Sequence, residues 1–408
     1  GADAYWADVS KSYYRQWYEV SVDRGWAYKQ LSTELTANLP AGPVKAASEL
    51  LSRLDARIAN LSHATHAETA ALPKDFWEDF NPRDLTKAAK SGKTNNRGMQ
   101  LLYFHLLRDA GIAPKLAKVP DRDRAIFDWS VLNPWQFDMD LIGVEDPAGG
   151  GVAWFDPTLR FATPGVVHPD YTAVPALIID TKKWTPTRGP IGGLQAAFNT
   201  RRFSYDLTLA EESDAFKVQA EFGGYPEYAE RYGFMSLEPK EQAKVLKERF
   251  EKAMKNLAVE HSEVRNAGDV KAGLTWLLQG TLEREPGRQR AVDPFPGMPW
   301  PLWVPSKLEE TRTAPIVIPY LATQLATSTF TVPKGYTMKA HQEIRQQNGF
   351  GRVFWVPSFD EATRQVKVVL RVEVLTLSSG ADRWPEFKSF LAWIEEACRR
   401  QVTLTREG

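Results

Sequence analysis

The sequence has little of what several classes of protein require. It contains one cysteine, Cys398, which excludes an internal disulfide framework and a metal site built from several cysteines. Lysine plus arginine and aspartate plus glutamate both number 51, so no net charge favours nucleic acid or an anionic membrane as a partner. No apolar run approaches the roughly 18 residues that span a bilayer.

What is present is typical of a globular protein of more than one domain. The 408 residues are enough for two or three domains with sizeable cores, and 43% of them are hydrophobic. The chain begins at Gly1, without an initiator methionine or a signal peptide, so we expect it to be processed or part of a longer protein. The near absence of cysteine suits an oxidising compartment.

The first half predicts helices packed against a short sheet. A helix is predicted over Ser12–Asn38, and another from Pro43, where apolar residues recur at helical spacing. The polar turn Gly92–Arg97 opens a third helix, Met99–Arg108, which is apolar almost all round and should therefore be buried. Three strands follow, near Lys115–Val119, Asp138–Glu145 and Val152–Phe155.

After residue 187 the hydrophobic period changes from helical to two. The alternation predicts an antiparallel hairpin from Phe203–Leu209 and Phe216–Phe222. Ser236 is predicted to cap a helix that ends near Asn256. A final helix, Pro385–Arg400, should bury Cys398 as a structural residue. Further strands are predicted over Val259–Arg265, Gly273–Leu282, Ile316–Leu321, Gln324–Thr331, Gly351–Val356 and Val366–Leu375.

The stretch from Gly92 to Thr158 resembles the transglutaminase-like fold, a relative of the papain-type thiol enzymes. The resemblance lies in a turn-capped apolar helix that ends in Leu106–Ile112, then a strand, then a second strand that ends in Asp156-Pro157-Thr158. It implies an α+β protein whose residues 1–187 form a transglutaminase-like (papain-like) domain.

The second half is similar to a β-sandwich that follows such domains in bacterial multidomain proteins. The similarity rests on Arg312–Pro315 before a strand and Val332–Tyr336 after one. It implies an antiparallel β-sandwich over residues 188–408, with an inserted helix near residues 237–256 and a C-terminal helix.

The residues at the family's catalytic positions decide what the resemblance implies for function. In that family the helix begins with a cysteine, the first strand carries a histidine and the second strand ends on an aspartate. A count back from the segment that ends the helix puts these positions at Asn96, Met139 and Asp156. A thiolate is the nucleophile of this chemistry and an imidazole activates it, and neither an amide nor a thioether can replace them. The implied site is a degenerate cleft that holds an extended peptide, or else three packing and turn residues.

Other polar groups have two interpretations each. His63 and His66 have a metal-chelating spacing without a third ligand nearby, which favours a pair of surface loop histidines. Asp138 and Asp140 share one strand face, which could bind a cation but is more often solvated. The segment Pro294–Trp303 is either a recognition segment or an interdomain strap that packs its tryptophans. We expect no metal and no cofactor.

Three functions follow as hypotheses. The first is a non-catalytic module of a larger bacterial protein outside the cytoplasm (periplasmic or secreted), which binds a protein or peptide or acts as a scaffold. The region that precedes Gly1 in a longer protein is one candidate partner. The second is a hydrolase or acyltransferase whose nucleophile has moved to Thr94, with His105 as its base. The third is a purely structural part of an envelope protein.

Overall fold

The protein, seen in a computed structural model that describes residues 1–73, 77, 80–192, 197–283, 289–299, 309–338 and 341–406, has an α+β fold. The predicted α+β class is therefore confirmed. The chain divides into two compact units, Gly1–Gly193 and Leu194–Gly408. The boundary predicted at residue 187 falls inside the strand Thr185–Pro190. This strand is the edge of the first unit's sheet, so the observed division comes after it.

The first unit combines helices with one antiparallel sheet. Its helices are α1 (Ala2–Asp8), α2 (Trp26–Thr36), α3 (Pro43–Arg57), α4 (His66–Ala70), α5 (Leu85–Ser91) and α6 (Asn96–Asp109). The short strands β1 (Ala59–Asn60) and β2 (Lys93–Thr94) pair in parallel. The sheet has the order β5-β4-β3-β6-β7, with β3 (Lys115–Val119), β4 (Met139–Asp146), β5 (Gly151–Phe155), β6 (Pro175–Asp180) and β7 (Thr185–Pro190).

The helix predicted over residues 12–38 is interrupted. Two π-helical segments, Val9–Tyr14 and Gln16–Val20, precede α2, and the chain leaves the helix between them and α2. The cause is a tertiary contact: the main chain of Asp23 bonds to Arg83 and Leu85, which helical geometry would prevent. A long-range pairing of this kind leaves no trace in local hydrophobic periodicity.

Helix α6 forms the centre of the first unit. Every residue from Gly98 to Leu107 is buried, as its all-round apolar sequence predicts. The helix shares its core cluster with one face of the sheet, through residues such as Leu116 and Ile142, while the alternate residues Ala117 and Leu141 pack on the opposite face. The sheet is thus buried on both sides, and α6 lies in the core from Gly98 onward, while Asn95, Asn96 and Arg97 at its start are half-buried.

The second unit is built on one eight-stranded sheet of order β10-β11-β9-β8-β14-β18-β17-β16. Its neighbours are antiparallel except β8 and β14, which run parallel. The strands are β8 (Thr200–Leu209), β9 (Ser213–Gly223), β10 (Leu257–Arg265), β11 (Thr275–Glu283), β14 (Ala322–Thr331), β16 (Ile344–Gln347), β17 (Gly351–Asp360) and β18 (Gln365–Val374). Five short strands lie outside this sheet in the described part of the unit: β12 (Gln289–Val292), β13 (Ile316–Val317), β15 (Tyr336–Met338), β19 (Ser378–Ser379) and β20 (Val402–Arg406).

Helices supply most of the layer that faces this sheet. They are α7 (Tyr225–Met235), α8 (Pro239–Ala253) and α9 (Trp384–Arg399), and they share one core with the sheet and with the small sheet β12-β20-β15. The second layer of the predicted β-sandwich is therefore largely helical. Strands such as β9 and β18 bury alternate residues only, so their other face is exposed.

The inserted helix forms as α8, but Ser236 does not cap it. Ser236 instead ends α7, a helix that hydrophobic periodicity did not predict, and its main-chain N–H donates to Tyr232. Helix α7 is held by a buried ion pair between Glu227 and Arg231, whose Nη2–Oε1 distance is 2.6 Å. The predicted helix is therefore present as α8, and α7 is an additional helix that precedes it.

We expect Gly280→Ala to lower the free energy of unfolding by about 1–3 kcal/mol, because the added methyl group would overpack the sheet. Gly280 lies in β11 opposite a bulge in β10, and a Cβ there would overlap the carbonyl oxygen of Ala258 and the ring of Phe216. Urea unfolding measures the change. Gly273→Ala, where nothing lies within 4 Å of the added Cβ, is the matched control. Equal midpoints for the two variants would contradict the packing argument.

Candidate functional site

The candidate site is built around the first turn of α6. Asn95 precedes the helix, and its Oδ1 accepts a hydrogen bond from the main-chain N–H of Gly98 at 3.0 Å. The N–H of Asn96 donates to Ser62 Oγ at 3.1 Å. Main-chain donors at a helix start have no partner inside the helix, so these side chains satisfy groups that would otherwise be unpaired.

Asn60 joins Asn96 to the end of β5. Its Nδ2 donates to Asn96 Oδ1 at 2.8 Å and to the carbonyl oxygen of Thr158 at 2.9 Å. Its Oδ1 accepts from the N–H of Ser62 at 3.1 Å. Asn60 is fully buried, so its three bonds are protected from water.

Asp156 lies at the end of β5 and holds a turn. Its Oδ1 accepts from the N–H of Thr158 at 3.1 Å and from the hydroxyl of the same residue at 2.6 Å. Burial raises the pKa of Asp156, although the bonds from Thr158 and the nearby charge of His168 oppose the shift. Asp156 therefore reaches Asn96 indirectly, through the carbonyl of Thr158 and the amide of Asn60.

Met139 connects to the same helix turn from the other side. It begins β4, and its Sδ accepts from Gln100 Nε2 at 3.2 Å. Gln100 lies one helical turn beyond Asn96 and also donates to the carbonyl of Asp140 at 3.1 Å. Asn60 thus bridges Asn96 and the turn that follows Asp156, and Gln100 separately connects Met139 to the same helix.

Thr94 and His105 do not form a catalytic pair. Thr94 is buried before the start of α6, against Gly98. His105 lies nine residues after Asn96, about 13 Å along the helix, beside the rings of Tyr28 and Phe104. Burial lowers the pKa of His105 to about 4, and this suits a neutral core histidine. The relocated-nucleophile hypothesis required hydrogen-bond contact between these two side chains, and their positions do not provide it.

The histidine pair near α4 has one half-buried and one exposed member, His63 and His66. His63 is half-buried at the end of a 3-10 turn, and burial together with the charges of Arg160 and His168 lowers its pKa. His66 begins α4. Within the described ranges no group of three or more His, Cys, Asp or Glu side chains could hold a metal ion.

An ion pair stands beside His63. Arg160 donates through Nη2 to Glu68 Oε1 at 2.7 Å. Burial alone would raise the pKa of Glu68, but the hydrogen bonds from Arg160 and Thr65 lower it to about 2. Asp55 has the opposite behaviour, since burial raises its pKa to about 8 despite the positive charge of Arg160.

Asp138 and Asp140 form ion pairs with basic side chains of the same chain. The prediction that this strand face is solvated is therefore wrong for Asp140. Asp140 is 5% exposed and accepts from Arg97 at 2.7 Å, from Lys118 and from the hydroxyl of Tyr18. Burial opposes ionisation of Asp140, but the charges of Lys118 and Arg97 outweigh it and lower the pKa. This cluster was missed because Arg97, Lys118 and Tyr18 are distant in sequence. One signal was available: a lysine at position 118 interrupts a buried strand.

Two remaining predictions concern the second unit. Cys398 is partly buried on α9, and burial raises the pKa of its thiol to about 12, so it is unreactive at neutral pH. Of the segment 294–303, Phe295 and Met298 pack into the second unit's core. Trp300 and Trp303 lie outside the described residues.

Comparisons with known proteins show a shared fold but no family. No protein-family model matches the chain, and no match is found among curated proteins. A solved structure from Parabacteroides distasonis ATCC 8503, described as a "putative protease", is similar with a TM-score of 0.52 and 13% sequence identity. The similarity covers 99% of this chain and 58% of that one, so the chain spans little more than half the length of the solved protein. Among the described residues, no helix has the length and hydropathy of a membrane span.

We expect Asp156→Asn to change the pH dependence of stability. Because the folded pKa of Asp156 is raised above that of an unfolded aspartate, about 3.9, the folded protein binds more protons between these two pKa values, and its stability falls as pH rises through them. The variant lacks this group. Its stability relative to the unsubstituted protein should therefore improve as pH rises from about 4 to 7 in urea unfolding.

Asp128→Asn is the control of opposite sign. Hydrogen bonds from Ser130 lower the pKa of the exposed Asp128, so the stability it contributes is present above the unfolded pKa and is lost as pH falls. A flat pH profile for the difference between Asp156→Asn and the unsubstituted protein would show that burial does not raise the pKa of Asp156.

Proposed function

We propose that this chain is a non-catalytic transglutaminase-like protein that binds a protein or peptide, or serves as a scaffold, within a larger bacterial extracytoplasmic protein. The observation that carries the proposal is the amide network at the start of α6. There Asn60 donates both to Asn96 and to the carbonyl of Thr158. Asn96 stands where the resembled enzymes carry their nucleophile, and it is engaged in structure instead.

Both positions that would perform the chemistry are occupied by groups that bond within the chain. A thiol enzyme needs a free thiolate and an imidazole that can take its proton. Here the side chain of Asn96 accepts from Asn60, its N–H donates to Ser62, and the thioether of Met139 accepts from Gln100. These groups can neither attack a carbonyl nor transfer a proton near neutral pH, so this site supports binding or scaffolding better than turnover.

The similar solved structure supports the scaffold part of the proposal. A protein described as a protease has the same fold at a TM-score of 0.52, so the fold is compatible with binding an extended chain. At 13% identity the similarity concerns the fold alone, and the activity has to be judged from the residues at the site. The extracytoplasmic location and the partner follow from the resemblance to bacterial multidomain proteins.

We expect the purified chain to neither hydrolyse a glutamine-containing peptide nor transfer it to a primary amine, because the site lacks a nucleophile. Product formation measured by mass spectrometry should equal the background without protein. Asn96→Ala and Asp156→Asn should leave this background unchanged. Turnover that either substitution abolishes would overturn the non-catalytic proposal.

We expect the triad geometry to be recoverable by substitution. A thiol introduced by Asn96→Cys should have an ordinary pKa of about 8.5, and adding Met139→His should lower it by about one unit or more, because an adjacent imidazolium stabilises a thiolate. The rate of iodoacetamide alkylation as a function of pH measures this pKa. Cys398 does not interfere, since its pKa is about 12.

Asn95→Cys combined with Met139→His is the matched control for position. Asn95 is the capping residue that points its side chain at Gly98, so a thiol there should not respond to the new imidazole. Equal responses at positions 95 and 96 would mean that the three residues do not stand at triad positions. In that case the transglutaminase-like interpretation loses its site.

A further inference from the structure

The first unit contains a cavity beside the first two turns of α6, next to Gln100 and Asp140. Its volume is about 300 Å³, at the lower end of the range for small-ligand sites. It is lined by the two π-helical segments, the first turns of α6, and the facing parts of β3 and β4. The side chains are Tyr13, Tyr14, Trp17, Tyr18, Arg97, Gln100, Lys118, Trp135, Asp138 and Asp140.

The side chains of the inner wall of this cavity carry an excess of one positive charge. Arg97 and Lys118 both bond to Asp140, so two cations share one carboxylate. Burial and the neighbouring charge of Arg97 lower the pKa of Lys118, although Asp140 opposes the shift.

The two cations have hydrogen-bond donors to spare. Arg97 uses Nη1 for its bonds to Tyr18, Gln100 and Asp140. Its Nε is buried and has no partner in the described part of the chain. The edge of a guanidinium formed by Nε and the second Nη matches the two oxygens of a carboxylate.

The rim of the cavity adds no further net charge. Asp138 lines it, but its carboxylate accepts from Arg124 at 3.2 Å and from the N–H of Asp121 at 2.9 Å. The surplus is therefore a single positive charge, which suits a monoanion. A phosphate group carries nearly two negative charges at neutral pH, which is more than a single surplus positive charge offsets.

Aromatic rings form the outer wall. The ring centroid of Tyr13 lies 5.9 Å from that of Trp17 and 6.0 Å from that of Trp135. Trp135 is 74% exposed, so its ring is accessible from solvent. Rings in this position offer an apolar surface to whatever part of a ligand lies beyond its charged end.

We propose that this cavity binds the free α-carboxylate of a peptide C-terminus whose last side chain is apolar or aromatic. The carboxylate lies against Arg97 and Lys118, and the side chain lies against Tyr13, Trp17 and Trp135. The inference rests on the proposed function in one respect, that the peptide is held and not cut. Gln100 bonds to Met139 and also lines the cavity, so the bound end of the peptide lies next to the degenerate cleft.

The test compares three probes by isothermal titration calorimetry with the full chain. The probes are acetyl-Gly-Phe, its C-terminal amide, and phenyl phosphate. We expect saturable binding of the free acid, with binding of the amide weaker by about tenfold or more, because the amide cannot offset the surplus charge. Phenyl phosphate should bind more weakly than the acid.

Two variants locate the binding. Trp135→Ala should weaken binding of the acid by several-fold, since it removes part of the aromatic wall, whereas Trp26→Ala, at a tryptophan 68% exposed outside the cavity, should not. Lys118→Met should abolish the preference for acid over amide. It should not lower the urea midpoint, because it leaves Asp140 paired with Arg97 in a one-to-one ion pair.

Equal affinities for acid and amide, tighter binding of phenyl phosphate, or an unaltered affinity in Trp135→Ala would each overturn the carboxylate site. These readouts are equilibrium affinities, so they fail independently of the proposed lack of turnover. Binding of the acid together with turnover of a glutamine peptide would support the cavity and overturn the non-catalytic function.

Discussion

Helix α6 is buried from Gly98 to Leu107, and pairing the polar groups of its first turn is the constraint on which the surrounding structure depends. The first main-chain N–H groups of a helix have no acceptor within the helix, so other groups must supply one. Asn95 supplies one acceptor from within the same turn, while Ser62 supplies another from a distant segment. The short parallel pairing of β1 with β2, which ends just before α6, explains how that segment is held there. A pairing of two residues is too small to stabilise the fold alone, but it places Asn60 and Ser62 beside the helix.

Consecutive residues on α6 and on β4 divide the polar groups of the unit into two kinds. The side chains of Asn96 and Met139 make uncharged contacts, with the amides of Asn60 and Gln100. Arg97 and Asp140, one residue further along each element, belong to the charged cluster with Lys118, since adjacent side chains of a strand point to opposite faces. In that cluster two cations share one carboxylate. The proposed binding of an anionic ligand therefore lies beside Asn96 and Met139 and not at them.

The elements that the sequence predicts well are those whose own residues determine them. The hydrophobic patterns of helix α6 and strand β18 specify these elements without reference to what they pack against. Both form within a few residues of the predicted bounds. Predictions fail where a partner distant in sequence decides the outcome, as at Asp23, whose bonds to residues 83 and 85 interrupt a helix. The same limit applies to the site. Asn96, Met139 and Asp156 could be found through the resemblance, but Asn60 and Arg97 acquire their roles only from residues that the fold brings to them.

Asp156 keeps a structural task that does not require the other two catalytic groups. In a thiol enzyme this carboxylate orients an imidazole, but here its Oδ1 accepts two bonds from Thr158 and fixes the turn after β5. That turn presents the carbonyl of Thr158 to Asn60, and Asn60 in turn holds Asn96 at the start of α6. An aspartate at the end of the second strand therefore has a structural role in fixing this turn, even though its burial disfavours the charged form. Cysteine and histidine have no equivalent task in this network, so their positions can be filled by an amide and a thioether while the fold remains closed around them.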